Sequence, residues 1–188
     1  MSNREIDSTS DALMRTFLRG NRQSFDALVR LWKKPLLNYF YYQVRQLPLA
    51  EELTQEVFIR VYRSRSYHSQ GRFSAWIYRI ARHLLLDHLR RRQLETCPAD
   101  EDFLQLSSLE PTPEARLLHQ EEQQNVQALL EAMSPEDREL LFLSQIQDLS
   151  YQEIAEIMNV SLNSVKGKIY RSVQRWIKKF REGTSHVR

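Results

Sequence analysis

Basic side chains are concentrated in two stretches of the chain, and their chemistry suits a polyanionic partner. Residues 60–92 contain nine arginines and one acid, and residues 166–181 contain seven lysines and arginines and no acid. Between them, residues 94–122 hold eight acids and one base. Solvated helix faces usually mix both signs of charge, so the two basic stretches favour binding of a polyanion such as nucleic acid.

The first basic stretch also interleaves aromatic residues with its arginines. Aromatic rings stack on unpaired bases at about 1–3 kcal/mol each and arginines hold phosphates, so the combination predicts contact with melting or single-stranded DNA. Trp76 lies at core spacing and is interpreted as a core residue. Arg79, Arg82 and His83 are expected to be exposed.

The second basic stretch follows the pattern of a helix-turn-helix. Ser150 and Glu153 form a capping box, and Asn159 tolerates the left-handed backbone that a tight turn requires. Small Ala155 lets two helices cross closely, and Ser161 caps the second helix, which in such motifs enters the major groove of DNA. A capped helical hairpin of any α-domain is the plainer interpretation, but it does not account for the bases on the second helix. The positions expected to face DNA are Ser161, Asn163, Ser164, Lys166, Lys168, Tyr170 and Arg171.

Composition and periodicity predict an all-α fold. The 188 residues include only four glycines and six prolines, too few for the many tight turns of a β-sandwich or barrel. Pro35 is expected to kink or divide its helix, and the polar residues 66–72 are predicted to form a loop. The apolar spacing predicts helices over residues 11–19, 21–44, 50–64, 73–92, 113–133, 135–147, 150–158 and 162–181.

Two small helical domains are expected, covering residues 10–92 and 113–182. Residues 93–112, rich in acids and proline, are predicted to be a flexible acidic linker. Cys97 is the only cysteine, which excludes an intrachain disulfide and fits a reducing compartment. No apolar run approaches the roughly 18–20 residues that span a bilayer, and the polar first residues do not resemble a secretory signal. A cytoplasmic location without stable membrane insertion is expected.

Three segments, in this order and spacing, resemble the extracytoplasmic-function (group 4) sigma factors of the sigma-70 family. Residues 50–64, AEELTQEVFIRVYRS, are similar to the region 2.2 helix of that family. Residues 73–92, FSAWIYRIARHLLLDHLRRR, are similar to its regions 2.3 and 2.4, and residues 134–176 to its region 4. Gly167 departs from the family pattern, because many relatives have a recognition helix without glycine.

The resemblance implies a transcription initiation factor that acts with bacterial core RNA polymerase and promoter DNA and needs no cofactor or metal. Glu52, Gln55 and Glu56 would bind the polymerase, whose β′ clamp helices and β flap are the implied contacts. The seven recognition-helix positions named above would read the −35 element. An anti-sigma partner and a role in stress response are also implied. The −10 element would be held by Tyr67, His68, Arg72, Phe73, Ser74, Arg79, Arg82 and His83, with the loop capturing a flipped base.

Two other classes of protein share parts of this pattern. A stand-alone helix-turn-helix repressor or activator would account for residues 149–173 but leaves the first domain unexplained. A metal-dependent nuclease would need ligands such as His83, Asp87 and His88, but no second ligand cluster, P-loop or nucleophile motif accompanies them. No enzymatic activity is therefore expected.

Overall fold

A computed structural model describes residues 3–64, 67–68, 71–95 and 133–184. Within these ranges the chain forms α-helices and one π-helical turn, Phe142–Ile146, and no strand. This agrees with the predicted all-α class. The helices are α1 (Asn3–Leu18), α2 (Arg22–Val44), α3 (Leu47–Arg63), α4 (Phe73–Glu95), α5 (Pro135–Leu141), α6 (Tyr151–Met158) and α7 (Leu162–Thr184).

Capping side chains set the ends of the C-terminal helices as the sequence predicted. Ser134 Oγ accepts a hydrogen bond from the backbone N–H of Asp137 at 3.1 Å, which satisfies one of the donors left free at the start of α5. Ser150 and Glu153 form the capping box of α6. Asn159 ends α6 with a φ of 54°, the left-handed conformation that the turn requires.

Two N-terminal helices differ from their predicted form. The helix α1 begins at Asn3 rather than at residue 11, because Asp7 in its polar first half accepts hydrogen bonds from Ser74 of α4. The helix α2 is not divided at Pro35, so of the two predicted effects, a kink or a division, the second is wrong, although proline removes one backbone hydrogen bond. Trp32 and Leu36, on either side of the proline, are buried, and their packing keeps the helix continuous.

Two further helix boundaries differ from the predicted ones. The helix α5 ends at Leu141 and continues as the π-helical turn, whereas an α-helix was predicted to residue 147. The helix α4 extends to Glu95, so residues 93–95 belong to it rather than to the predicted linker. The remaining linker residues and the predicted helix over 113–133 lie outside the described residues, apart from Met133 itself.

The core of the first four helices is built from their apolar faces. Trp32 of α2 lies at its centre, with ring centroids 5.5 Å from Phe73 and 5.7 Å from Tyr78. This packing fixes the start of α4 against α2. The largest fully buried side chains of this part are Met14, Leu28, Leu36, Tyr39, Phe40, Phe73, Ile77 and Tyr78.

The C-terminal helices pack directly on the first four. The ring of Phe142 lies 5.6 Å from that of Tyr39 and 5.3 Å from that of Tyr42, and α6 packs against α4. The buried residues of both parts form one hydrophobic cluster. Within the described ranges, none of the helices combines the length and the apolar character needed to cross a bilayer.

Candidate nucleic-acid interface

The outer face of α3 carries the three residues predicted to bind a protein partner. Glu52 and Gln55 are exposed and Glu56 is half-buried. Glu56 accepts a hydrogen bond from Nε of Arg60 at 3.2 Å, one turn along the helix. Both side chains of this pair are 42% exposed, so the ion pair contributes little to stability. The helix itself therefore positions these side chains, and the face that they form is exposed to solvent.

Three aromatic rings support the loop in front of α4. The ring centroid of Tyr67 lies 4.7 Å from that of Trp76 and 5.5 Å from that of Phe73. Trp76 is half-buried and packs against the core, as its spacing predicted. The exposed members of the predicted −10 surface are His68, Arg72, Arg79 and His83.

The other predicted −10 residues lie beneath the surface rather than on it. Phe73 is 0%, Ser74 1% and Tyr67 8% exposed. The backbone N–H and the hydroxyl of Ser74 both donate to Oδ1 of Asp7, each at 2.6 Å. Phe73 completes the aromatic core and Ser74 joins α4 to α1. These side chains therefore do not lie on the expected −10 surface, because they are engaged in tertiary contacts beneath it.

Two of the predicted −10 arginines are paired with acids of the C-terminal helices. Nη1 of Arg72 donates to Oε1 of Glu156 on α6 at 2.5 Å. Nε of Arg82 donates to Oε2 of Glu139 on α5 at 3.2 Å, and the Arg82 side chain is only 16% exposed. The packed arrangement thus leaves only part of the basic surface of α4 open to solvent.

Glu139 connects the two halves of the molecule through a buried network. The hydroxyl of Tyr39 donates to Oε1 of Glu139 at 2.6 Å, while Arg82 binds the other oxygen. Burial raises the pKa of Glu139, and the bonds from Tyr39 and Arg82 oppose that rise. Burial also raises the pKa of Tyr39 well above its usual value, so the phenol remains a donor at neutral pH.

Arg138 adds a second contact between the halves. Its Nη1 donates to the main-chain oxygens of Tyr42 at 3.3 Å and Gln43 at 3.2 Å, in the last turn of α2. Carbonyls at a helix C-terminus lack partners within the helix and carry partial negative charge, which favours a cation there. The helix α5 is therefore attached to the end of α2 by charge as well as by apolar packing.

The helix α7 presents the predicted recognition surface. Oγ of Ser161 accepts a hydrogen bond from the backbone N–H of Ser164 at 3.2 Å, so Ser161 caps this helix as predicted. Val165 is buried, which turns the opposite face of α7 outward. Lys168 is half-buried and contacts Glu136 of α5. The exposed positions of the predicted set are Ser161, Asn163, Lys166, Tyr170 and Arg171.

Asp137 fixes α7 against the start of α5. Its Oδ1 accepts from the hydroxyl of Ser172 at 2.5 Å, and Nη2 of Arg175 lies 2.9 Å from its Oδ2. Burial opposes ionisation of Asp137, but hydrogen bonds from Ser172, Ser134 and Arg175 outweigh it and lower the pKa below its usual value. An ionised carboxylate therefore orients the predicted recognition helix.

Sequence reasoning missed the acids that join distant helices: Asp7, Asp11, Asp137 and Glu139. Only Glu139 carried a usable signal, because it lies three and four residues before Phe142 and Leu143 and so shares their apolar helix face. A charged residue at an apolar position implies a buried partner. Across the described part of the chain, no group of three or more potential metal ligands is found.

Comparison with known proteins accounts for both halves of the chain. The family described as Sigma-70 region 2 matches residues 28–95, and the family described as Sigma-70, region 4 matches residues 123–175. The ECF RNA polymerase sigma factor SigE of Mycolicibacterium smegmatis is 36% identical over 154 residues, which are 80% of this chain and 59% of that relative. The ECF RNA polymerase sigma factor BldN of Streptomyces coelicolor is 32% identical over 89% of this chain and 66% of its own length.

The chain therefore spans about three fifths to two thirds of the length of these two relatives. A solved structure of CnrH in complex with the cytosolic domain of CnrY shares the fold, with a TM-score of 0.69 at 20% identity, over 93% of this chain and 98% of that one. The two sigma-70 regions follow each other in the chain and together match more than half of it. The chain belongs to the sigma-70 family, in its extracytoplasmic-function group.

Proposed function

We propose that this protein is a sigma factor that binds core RNA polymerase, recognises the −35 and −10 elements of promoters and promotes DNA melting. The observation that carries this proposal is the presence of two basic surfaces, on α4 and on α7, in one chain whose halves match sigma-70 regions 2 and 4. Two modest surfaces gain affinity through effective concentration when one large enzyme holds them along the same DNA.

The division of labour follows the two halves of the chain. Residues 10–92 are proposed as the domain that binds the polymerase and the −10 element, and residues 113–182 as the domain that binds the −35 element, with residues 93–112 between them. The open acidic face of α3 suits a protein partner. We assign polymerase binding to it, with Glu52, Gln55 and Glu56 toward the β′ clamp helices, and the β flap as a second contact.

The −10 surface is proposed to work through exposed and buried members together. His68, Arg72, Arg79 and His83 are exposed and would meet bases and phosphates, whereas Tyr67, Phe73 and Ser74 would hold the loop from beneath. Base capture requires unstacking at a cost of a few kcal/mol, which a preformed pocket offsets. Arg82 would reach DNA once Glu139 no longer holds it.

The −35 surface is proposed on the N-terminal half of α7. Asn163, Lys166, Tyr170 and Arg171 are exposed there, and lysine and arginine at such positions reach guanine edges or phosphates. Lys168 would add to the surface after leaving Glu136. Ser161 and Ser164 would act at the helix N-terminus, where backbone N–H groups favour phosphate.

Location and partners follow from the same activity. We place the protein in the cytoplasm, where polymerase and promoter DNA occur, and we assign it no catalytic reaction of its own. An anti-sigma factor and a stress-response role are proposed on the basis of the family. The similarity to CnrH, which was solved in complex with the cytosolic domain of CnrY, supports a protein partner.

Run-off transcription tests the proposal. Purified protein and core polymerase are combined on a library of templates with randomised −35 and −10 elements, and the transcripts are sequenced. We expect initiation from a restricted set of promoters that core polymerase alone does not use. If no template supports specific initiation and the free protein binds duplex DNA with nanomolar affinity, a stand-alone helix-turn-helix regulator is the better description.

A further inference from the structure

Two carboxylates of α1 hold the turn that leads into α4. Oδ1 of Asp7 accepts the backbone N–H and the hydroxyl of Ser74 at 2.6 Å each, and Oδ2 of Asp11 accepts the backbone N–H of Gly71, also at 2.6 Å. These bonds connect residues 67 and 60 positions apart in the chain. The exposed Arg72 lies between the two anchor points.

The geometry of the turn explains why it needs external anchors. Gly71 has a φ of +68°, in the left-handed region, so the chain reverses there just before α4. Ser74 is the second residue of α4, and the hydrogen-bond ladder of an α-helix does not use the backbone N–H groups of its first turn. A carboxylate at this end also interacts favourably with the helix dipole. Asp7 therefore caps α4 from another helix, and Asp11 restrains the turn itself.

Burial of these two acids is unfavourable for the stability of the fold. Asp7 and Asp11 are each only 4% exposed. Burial raises the pKa of Asp7 even though Ser74 donates two hydrogen bonds to it. Apolar residues of similar size often stabilise such buried positions equally well, so a contribution to stability does not by itself account for the two carboxylates.

We propose that Asp7 and Asp11 are positioning residues of the −10 surface, through which α1 orients the turn and the first turns of α4 for capture of an unpaired base. This inference rests on the proposed function of residues 67–83. It assigns a promoter-melting role to α1, which precedes the segment that matches sigma-70 region 2, residues 28–95. The acids act through Gly71 and Ser74 and do not touch DNA themselves.

The test uses the full chain assembled with core polymerase. Asp7→Ala and Asp11→Ala are compared with the unaltered protein in two assays: affinity for core polymerase, and binding of the assembled enzyme to a fluorescent single-stranded oligonucleotide carrying the −10 sequence of the non-template strand. We expect unchanged polymerase affinity and about tenfold weaker strand binding for each variant, the size associated with losing a hydrogen bond to a charged group. Opening of duplex promoters should fall in parallel.

Two further variants separate positioning from stability. Ser10→Ala removes a different buried contact of α1, the 2.9 Å bond from Nε1 of Trp32 to Oγ of Ser10, which attaches α1 to α2 instead of α4. We expect it to lower the melting temperature and leave strand binding unchanged. Asp7→Asn keeps an acceptor for the N–H of Ser74 and should restore most of the strand binding that Asp7→Ala loses.

The outcomes are distinguishable. Strand binding equal to the unaltered protein in both Asp7→Ala and Asp11→Ala overturns the inference and leaves the proposed function intact. An equal loss of strand binding in Ser10→Ala also overturns it, because α1 would then act only through stability. If the unaltered protein binds polymerase but neither binds the strand nor opens any promoter, the proposed function fails and the inference fails with it.

Discussion

At the scale of single residues, Gly167 is a helical glycine that the fold does not require. Its backbone is not in the left-handed region, and an added Cβ would lie 3.3 Å from Nη1 of Arg171, the far end of a flexible side chain. Glycine inside a helix is about 1 kcal/mol less favourable than alanine. Neither its backbone conformation nor its packing requires a glycine at this half-buried position, so we expect the missing side chain to serve close approach of DNA.

Gly167→Ala should separate these two effects. We expect the free energy of unfolding to rise by about 0.5–1 kcal/mol, because alanine loses less backbone entropy in a helix. Binding to −35 duplex by the assembled enzyme should weaken, since the methyl group occupies space against the DNA. Urea unfolding and −35 competition assays measure the two quantities. Stronger DNA binding in the variant would argue against close approach at this position.

At the scale of helices, Asp137 shows how one side chain orients the predicted recognition helix. It receives hydrogen bonds from Ser134 of its own cap and from Ser172 and Arg175 of α7. The pKa of Asp137 is lower in the folded protein than in the unfolded chain, so ionisation stabilises the fold. This stabilisation is complete above the usual aspartate pKa of 3.8 and is lost as pH falls through the lowered value.

Asp137→Asn should therefore be destabilising only while the native carboxylate is ionised. At neutral pH we expect the free energy of unfolding to fall by about 1.5–3 kcal/mol, the range for hydrogen bonds to charged groups. The difference between variant and unaltered protein should shrink as pH falls below about 4, because the unfolded chain then takes up a proton that the folded carboxylate does not. Denaturant titrations from pH 7 to pH 3 measure this. If the difference in the free energy of unfolding stays constant with pH, the amide destabilises the fold through its shape and not through the loss of charge.

The outer face of α3 allows a second test at this scale. Replacing Glu52, Gln55 and Glu56 together by alanine should reduce affinity for core polymerase at least tenfold while leaving stability within about 1 kcal/mol, because exposed polar residues contribute little to folding. Co-elution with core polymerase measures the affinity.

A matched control for that face is available on α2. Arg22, Gln23 and Asp26 are also exposed, and their triple alanine variant should bind polymerase normally. Normal polymerase binding by the α3 variant would contradict the assignment of this face. An equal loss in both variants would indicate a general effect of removing exposed polar side chains.

At the scale of the whole molecule, the two halves are packed so that one covers part of the other's basic surface. Glu139 forms an ion pair with Arg82, and Glu156 forms one with Arg72. These carboxylates bind the two guanidinium groups as DNA phosphates would. If the α4 surface binds promoter DNA as proposed, that binding would compete with a contact inside the protein. We expect this competition to lower the DNA affinity of the free protein, and polymerase to relieve it by separating the halves.

Glu139→Ala should relieve this competition in the free protein. We expect roughly fivefold tighter binding of single-stranded DNA at low salt, equivalent to about 1 kcal/mol, because Arg82 is released. The free energy of unfolding should fall by about 1–3 kcal/mol, since the buried hydroxyl of Tyr39 loses its acceptor. Fluorescence anisotropy and urea unfolding measure the two changes.

Glu139→Gln is the matched control, because its amide oxygen still accepts from Tyr39 while the charge that holds Arg82 is gone. It should be less destabilised than Glu139→Ala and should still bind the strand more tightly than the unaltered protein. DNA affinity that stays unchanged in both variants would mean that the packed halves do not compete with DNA.

The features that could be predicted from the sequence depend on residues within four positions of one another. The caps at Ser134, Ser150 and Ser161, the turn at Asn159 and the polar face of α3 all depend on such short-range patterns, and the structure contains each of them. The family resemblance rests on the same local motifs, so it too was accessible from the sequence.

Packing between distant segments decides instead which charged side chains are exposed and which are paired. The partners of Tyr39, Arg82 and Ser74 lie 100, 57 and 67 positions away in the chain, and no local periodicity relates them. An arginine in an exposed helical pattern looks the same whether solvent or a buried carboxylate faces it. Only assembly of the helices reveals that Arg82 is paired, that Ser74 is capped from α1, and that Phe73 lies in the core.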